Sequence, residues 1–380
     1  MSLFQLVNQN QNRQRLEQIA QSKRIANAYL FHGAEGHGTE GFALEFAAML
    51  NCLGSADAIP CGECASCRKL KNLEHSNLSL VFPIPIKEDT ESDDPPFEKF
   101  KEEDMEEIQQ AIRFKASHPY GKIVITKGLH IPINFIREIK RKIYLTALEP
   151  GYKVVVIFDA HLLTEPAANA FLKILEEPPS QSTFILTTSV PDLLLPTIHS
   201  RCQALHFPPV PETELLSYLT TFDYPSEDVK LAVRMAGGNV ARLMNLLEGN
   251  LKIIKKKTLT IYEQIALWKP ASVRKITEDL AAQYRDEPDQ FRQILESMLF
   301  FARDVELLRN GTDPRHLIHS DLFERLQKFA NKYTACDTEK IKSSVENCIG
   351  FLNRNVYINL AITEMLFQIK ASIEPDLKNE

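Results

Sequence analysis

Residues 151–202 read GYKVVVIFDAHLLTEPAANAFLKILEEPPSQSTFILTTSVPDLLLPTIHSRC. Val154 to Phe158 is a continuous apolar run, rich in β-branched residues and too short for a helix of its own, which suits a strand buried on both faces of a parallel sheet. Asp159 ends it. From Thr164 the period changes: Ala168, Phe171, Leu172 and Leu175 fall at i, i+3, i+4 and i+7, with Thr164 placed to cap the start and Pro178-Pro179 to stop the end. Thr183 to Thr188 (TFILTT) is a second strand. Strand, helix and strand with this crossover length predict a right-handed parallel unit. It leads into an exposed basic tip at Ser200-Arg201-Cys202.

The whole chain has 380 residues, too many for one ordinary core, so two or three domains are expected. Apolar content of 44% and charged content of 25% describe a globular chain. No stretch approaches the ~18 to 20 apolar residues that span a bilayer. The N-terminus, MSLFQLVNQNQNRQRLEQ, lacks the charged-then-apolar pattern of a signal peptide, and a cytoplasmic location is the expectation. The net charge of -6 argues against a chain that coats nucleic acid by itself.

Upstream, Asn8 to Lys23 suits a helix with one modest apolar face, and Ala28 to His32 (AYLFH) is a short strand. This strand delivers the chain to Gly33-Ala34-Glu35-Gly36-His37-Gly38-Thr39-Glu40, where a phosphate-binding loop belongs. Gly33 and Gly38 occupy the spaced glycine positions of G-x-x-x-x-G-K-[ST], with Gly36 between them. Thr39 stands at the lysine position and Glu40 at the magnesium-holding Ser/Thr position, so the loop keeps its turn and loses its phosphate chemistry. No ATP is expected on this chain.

Seven cysteines are an odd number, and four crowd into 52–67 as C-x8-C-x2-C-x2-C: Cys52, Cys61, Cys64 and Cys67. Such clustering in a cytosolic chain favours metal over disulfides. Four thiolates close a tetrahedral shell with no open position, so the expected ion is a structural zinc. The bland alternative is a set of free surface thiols. His75 is unnecessary to the shell and reads as a surface or loop residue.

Leu78 to Phe82 is a further strand candidate. Residues 83–120 are an acidic insertion, read as solvated, with a helix over Glu102 to Ala116 whose Met105, Ile108, Ala111 and Ile112 share one side. Lys122 to Thr126 (KIVIT) returns to strand character. Ile133 to Leu148 reads as a helix with Ile136, Ile139, Ile143 and Ala147 along one stripe. Its basic part, 136–145 with neighbouring Arg137, Lys140, Arg141 and Lys142, is a solvated face or a DNA-phosphate contact. Ala204 to Phe207 is the last strand, and Pro208-Pro209-Val210-Pro211 a stiff boundary. Beyond it only helical periodicity remains: Glu212 to Leu219, Val229 to Met235, Val240 to Leu247, then Phe291, Ile294, Leu295, Met298 and Leu299, and Val356, Leu360, Ile362, Leu366 and Ile369. Lys255-Lys256-Lys257 reads as a solvated turn, and Cys336 and Cys348 as ordinary cysteines.

The runs LLTEPAANAFLKILEEPP and FILTTSVPDLLLPTIHSRC, and INFIREIKRKIYL before them, resemble the AAA+ clamp-loader subunits of bacterial DNA polymerase III. The resemblance implies an α/β AAA+ domain over 1–208, a parallel sheet flanked by helices and carrying a zinc module at 52–67. It further implies a small helical lid over 209–250 and an all-α oligomerisation collar over 251–380. On the family's D-E-x-H-x-L pattern, Phe158 falls where the magnesium-binding aspartate stands and Asp159 at the catalytic glutamate. Gly237-Gly238-Asn239-Val240-Ala241-Arg242 falls on the family's sensor-2 element, with no catalytic role expected for Arg242 in a dead site. Ser200-Arg201-Cys202 matches the SRC motif, whose arginine acts in trans on the neighbouring subunit's nucleotide. A dead loop beside an intact SRC motif resembles the family's inert stator class. That class implies a hetero-pentamer with gamma/tau ATPase subunits and a delta subunit, which places a sliding clamp on primed DNA as part of the polymerase holoenzyme. Two alternatives differ in class: a gamma/tau-like ATPase with an unorthodox nucleotide site, told apart by ATP binding to the isolated chain, and a zinc-dependent nucleic-acid module, told apart by tight DNA binding without partners.

Overall fold

A computed structural model describes residues 2–7, 9–54, 59–87, 93–146, 149–222, 224, 226–352 and 356–374. The chain forms two compact units, one of Met1–Tyr218 with Gly238–Arg242, the other of Leu219–Gly237 with Leu243–Glu380.

The first unit is built on a five-stranded sheet: β1 (Ala28–His32), β2 (Leu78–Val81), β3 (Lys153–Ile157), β4 (Ser182–Thr188) and β5 (Gln203–His206), in the order β2-β3-β4-β1-β5. All pairs are parallel, as the strand-helix-strand pattern predicts. Central β4 is buried at all seven positions, which is why its sequence is a near-continuous apolar and threonine run rather than an alternation. β3 stops one residue before the expected end: Phe158 N still donates to Val81 O, but Asp159 turns into the left-handed region at φ 47°.

Around the sheet lie α1 (Asn10–Ser22), α2 (Thr39–Asn51), α3 (Ala65–Lys71), α4 (Glu102–Ser117), α5 (Ile133–Tyr144), α6 (Glu165–Glu176) and the single turn α7 (Pro196–His199). α6 is capped by the Thr164 hydroxyl, which accepts from Ala167 N, and it buries Ala168, Phe171 and Leu175 as its period requires. α5 buries Ile136, Ile139 and Ile143 but ends at Tyr144. The rest of the helix expected to Leu148 is not formed at Leu145 and Thr146, and Ala147 and Leu148 lie outside the described residues.

Two expectations are corrected here. Residues 122–126 form no strand, because their hydrogen-bonding groups are engaged elsewhere: Thr126 N donates to the Glu107 carboxylate at 2.7 Å and Gly128 N to Ile125 O at 2.8 Å. Ile123 and Ile125 are buried while Val124 is 71% exposed, so the alternation of a strand survives without a ladder partner. The acidic insertion is not simply solvated either. α4 packs Ile108 into the core and buries Lys115 completely, and Tyr120 beyond it is half-buried, its hydroxyl accepting from Val7 N.

The second unit is helical. It holds the end of α8 (Glu212–Leu219), α9 (Ser226–Ala236), the end of α10 (Val240–Asn245), α11 (Leu251–Leu267), α12 (Pro270–Asp286), α13 (Pro288–Arg309), α14 (Phe323–Lys332), α15 (Thr338–Phe351) and α16 (Ile358–Ile373). A π-turn at Leu246–Asn250 joins α10 to α11. α13 is the hub, packed on α11, α12, α14 and α15, and it buries Phe291, Ile294, Leu295 and Met298, with Leu299 half-buried. In α16, Ile362, Leu366 and Ile369 are buried, whereas Val356 lies before the helix and Leu360, 68% exposed, falls on its opposite side. Lys255 is no solvated turn residue: it lies in α11, nearly buried, between Asp228 (3.3 Å) and Asp321 (3.1 Å). Cys336 and Cys348 belong to this core.

One buried polar cluster pins α13 to the 317–319 segment. The Asp304 carboxylate accepts from Ile318 N (3.0 Å), His319 N (2.8 Å) and His319 Nδ1 (2.9 Å), and Ser297 Oγ lies 3.4 Å from His319 Nε2. Ser297, Asp304 and His319 have no solvent exposure, so this serine, histidine and aspartate hold the fold and meet no substrate. Asp304→Ala is expected to lower stability by about 3–5 kcal/mol, the scale for removing one member of a buried polar pair. Urea unfolding followed by circular dichroism checks this through a lowered midpoint.

Candidate functional site

The phosphate-type loop follows β1 and turns at Gly36 (φ 74°) and Gly38 (φ 98°) into α2. It is crowded on every side. A Cβ on Gly36 would lie 1.9 Å from Asn239 Oδ1, and one on Gly33 would lie 2.3 Å from Phe207 O. Asn239 Nδ2 donates to Glu35 O, Val240 N to Gly36 O, and Arg242 N to Asn239 Oδ1, so the Gly238–Arg242 segment holds the loop by backbone and amide contacts. Gln9 Nε2 donates to His37 O at 2.6 Å.

At the position where a magnesium-holding hydroxyl would stand, Glu40 meets an ammonium instead. Lys115 Nζ donates to the Glu40 carboxylate, to Pro119 O (2.9 Å) and to Gly121 O (2.5 Å), and it lies 5.4 Å above the Phe158 ring. Phe158, at the expected metal-aspartate position, is buried and offers only its π face. Asp159 is paired with Lys122 (3.2 Å), which also reaches Glu35 at 2.6 Å. The cleft lined by Gly33, Glu35, Glu40, Tyr120, Asp159 and Thr188 leaves a cavity of about 20 Å³. That is room for roughly one water. Burial depresses the Lys115 ammonium, with the Glu40 charge opposing it. Neither Lys115 nor Tyr120 was legible as a site residue, although Lys115 does fall at i+7 from Ile108, on an otherwise apolar stripe.

The four cysteines converge. Among the described residues theirs is the one cluster fit for a metal ion, with all four sulfurs within 4.8 Å of one another. Cys61 Sγ and Cys67 Sγ are 3.9 Å apart, against about 3.8 Å for the edge of a tetrahedron with 2.3 Å metal–sulfur bonds. Backbone N–H groups of Cys61, Cys64 and Cys67 point at the sulfurs of Cys52, Cys61 and Cys64. Burial works to raise the Cys64 thiol, yet N–H donors from Cys67 and Leu53 outweigh it and hold it down at about 6. His75 is corrected from a surface residue to a buried one. Its Nδ1 accepts from Asn77 N (3.1 Å), which leaves Nε2 to face Ser66 Oγ (2.9 Å) and Glu149 (3.3 Å), away from the ligand set.

Arg201 lies at the other end of the sheet. Gln203 pairs with Tyr29 and His206 with His32, so Arg201 precedes the amino end of β5, while Gly33, Asp159 and Thr188 cluster at the carboxyl ends. The four residues of β5 separate the two ends by about 13 Å at 3.3 Å per residue. The Arg201 side chain is 39% exposed, and its guanidinium donates to Thr197 O and Glu176, both at 3.1 Å. The basic helix spends part of its charge internally: Arg137 pairs with Asp93, and Arg141 and Lys142 with Glu138.

The profile of the family described as "DNA polymerase III, delta subunit" matches residues 8–211, more than half the chain. The chain therefore belongs to this family of clamp-loader subunits. Within it the chain is delta-prime-like. The delta-prime subunit of Bacillus subtilis is 27% identical over 312 residues, covering 82% of this chain and 80% of that one. The delta-prime subunit of Escherichia coli is 37% identical over 137 residues, 35% of this chain and 41% of that one. The tau/gamma subunit of Haemophilus influenzae is 31% identical over 59% of this chain and 27% of its own length. Among the described residues, no helix is long and apolar enough to cross a membrane.

Two histidines report on the closed loop. Burial pushes His37, whose Nδ1 faces Phe207 O, and His161, whose Nδ1 faces Thr188 Oγ1, below their ordinary 6.5. The unfolded chain therefore takes up these protons first, so stability falls as pH drops through 6.5 and levels off once the folded groups also titrate. Urea midpoints between pH 7.5 and 5.5 are expected to decline on the acid side, and His161→Asn is expected to flatten the decline.

Proposed function

We propose that this chain is the non-hydrolysing stator of a DNA polymerase III clamp loader and supplies Arg201 in trans to a neighbouring ATPase subunit. The observation that carries the proposal is the phosphate loop, where Thr39 and Glu40 replace the phosphate and magnesium groups and an internal ammonium takes up the Glu40 charge. Phosphoryl transfer depends on positioned cations, and this chain directs carboxylates and a phenyl ring into that place. Its function then belongs to the assembly: gamma/tau ATPase subunits and a delta subunit in a hetero-pentamer, acting on the sliding clamp and primed DNA. In this scheme 1–208 is the AAA+ domain, 209–250 a lid and 251–380 the collar. The tau/gamma similarity favours one rival, an ATPase with an unorthodox site, which predicts magnesium-dependent ATP binding by the isolated chain.

Arg201 suits action on a neighbour. It is about one strand length from its own loop, and its present partners are a carbonyl and an exposed carboxylate. Such a surface pair is worth about 0–1 kcal/mol, so releasing the fork to a phosphoryl group costs little. In complexes reconstituted with Arg201→Ala, ATP hydrolysis at the one facing site should fall by roughly 10³ to 10⁵, which reads as a partial loss of total activity and slower clamp loading. Arg201→Lys should rescue poorly, since a point charge lacks the planar two-pronged donor. Wild-type rates in a fully assembled Arg201→Ala complex would remove the residue from the mechanism.

The cysteine cluster is proposed as a structural zinc site held by Cys52, Cys61, Cys64 and Cys67, with no position open for catalysis. When bound, the ion supplies a cross-link. Ser66 Oγ, which donates to Asn51 O at 2.6 Å, ties the same α3 turn to the end of α2. Elemental analysis should find one zinc per chain, lost in Cys64→Ser/Cys67→Ser together with thermal stability. Unchanged zinc in that variant counts against the site.

A further inference from the structure

α4 and the turn after it, residues 118–122, end against the phosphate-type loop. An ammonium has three donors, and all three of Lys115 are used, on Glu40, Pro119 O and Gly121 O, with no solvent exposure. A buried lysine is expensive unless so paired. The turn that provides two of these oxygens also provides a filler. Tyr120 lies against Gly38, with its Cε1 3.2 Å from where a Cβ would be, and its hydroxyl accepts from Val7 N at 2.7 Å. Pro119 O comes within 3.3 Å of a Cβ placed on Gly41 in the first turn of α2. Lys122 continues the arrangement by bridging Glu35 and Asp159. Two lysines from one short segment thus meet three carboxylates of the cleft, which leaves one negative charge over and about 20 Å³ of space. A loop of this kind elsewhere gains its order from the anion and cation it binds.

We propose that α4 and residues 118–122 are a built-in occupant of the phosphate loop: the Lys115 ammonium stands in for a bound cation and the Tyr120 turn for the nucleotide, so the loop is ordered without a ligand. The proposal rests on the inert-subunit reading and assigns the insertion its role. It differs from the loss of the loop motif, because the occupant is a positive part of the fold whose removal should loosen the loop.

The test is hydrogen exchange by mass spectrometry on the full chain, comparing wild type with Lys115→Met, Glu40→Gln and the double variant. Lys115→Met is expected to speed exchange of amides in 33–41 by about tenfold or more while peptides covering 182–188 keep their protection, and the double variant, balanced in charge but without the ammonium, to stay loosened; full recovery there assigns the effect to an unpaired carboxylate and overturns the proposal. Unchanged exchange in 33–41 in Lys115→Met overturns the proposal. Should that variant not fold, Glu40→Gln keeps the volume and removes only the charge, and unchanged loop exchange there overturns it equally. Titration of the wild-type chain with magnesium and a fluorescent ATP analogue separates the two readings. Nucleotide binding by wild type sinks the inert subunit, while no binding with unchanged exchange in the variants sinks only the occupant.

Discussion

The ammonium of Lys115 against the carboxylate of Glu40 is the contact on which the first unit's functional end depends. Neither group is stable alone where it sits: one is fully buried and the other nearly so. Their pairing fixes α4 over α2 and brings the 118–122 turn down on the glycines. A second buried carboxylate extends the same logic. Glu45, one turn further along α2, is raised by burial yet accepts from Leu3 N and Phe4 N and lies 3.7 Å from Arg13, so the N-terminal residues are tied to the helix that begins at the loop. Both contacts convert the cost of burying charge into a specific placement of chain segments.

The parallel sheet explains why chemistry lies where it does. With every strand running the same way, β1, β3 and β4 end together and present Gly33, Asp159 and Thr188 at one edge, the usual place for a ligand crevice. In this chain that crevice is filled from within. The opposite edge carries Arg201 with weak partners and solvent access. The sheet therefore has a crowded carboxyl end and a more open amino end.

The cysteine knuckle and His75 show a similar separation of roles in a small space. The sulfurs face one another, with backbone N–H groups holding the Cys61 and Cys64 thiols down, while His75 turns its nitrogens to Ser66, Asn77 and Glu149 and holds the frame beneath. A nearby histidine is thus a brace for α3, and the four sulfurs converge without it.

From residues alone the central unit was legible: β3, α6 and β4 came from a change of period between Val154 and Thr188, with Thr164 as cap and a proline pair as stop. The cysteine spacing and the substituted loop positions Thr39 and Glu40 were equally local, since each depends on residue types at fixed separations, whereas Phe158 was placed only by the family's pattern. The strand expected at 122–126, the solvated insertion, the surface His75 and the exposed Lys255 were not decided there. Each turned on partners far away in the chain, such as Glu40 for Lys115, 75 residues apart, or Asp321 for Lys255. Alternation at 122–126 indicates which side chains face inward, but a strand also needs a ladder partner, and here Thr126 N is spent on the Glu107 carboxylate of α4 and Ile125 O on Gly128 N. Periodicity records which face of a segment is buried; what that face is buried against, and whether a charge there is matched, exists only once the chain has folded.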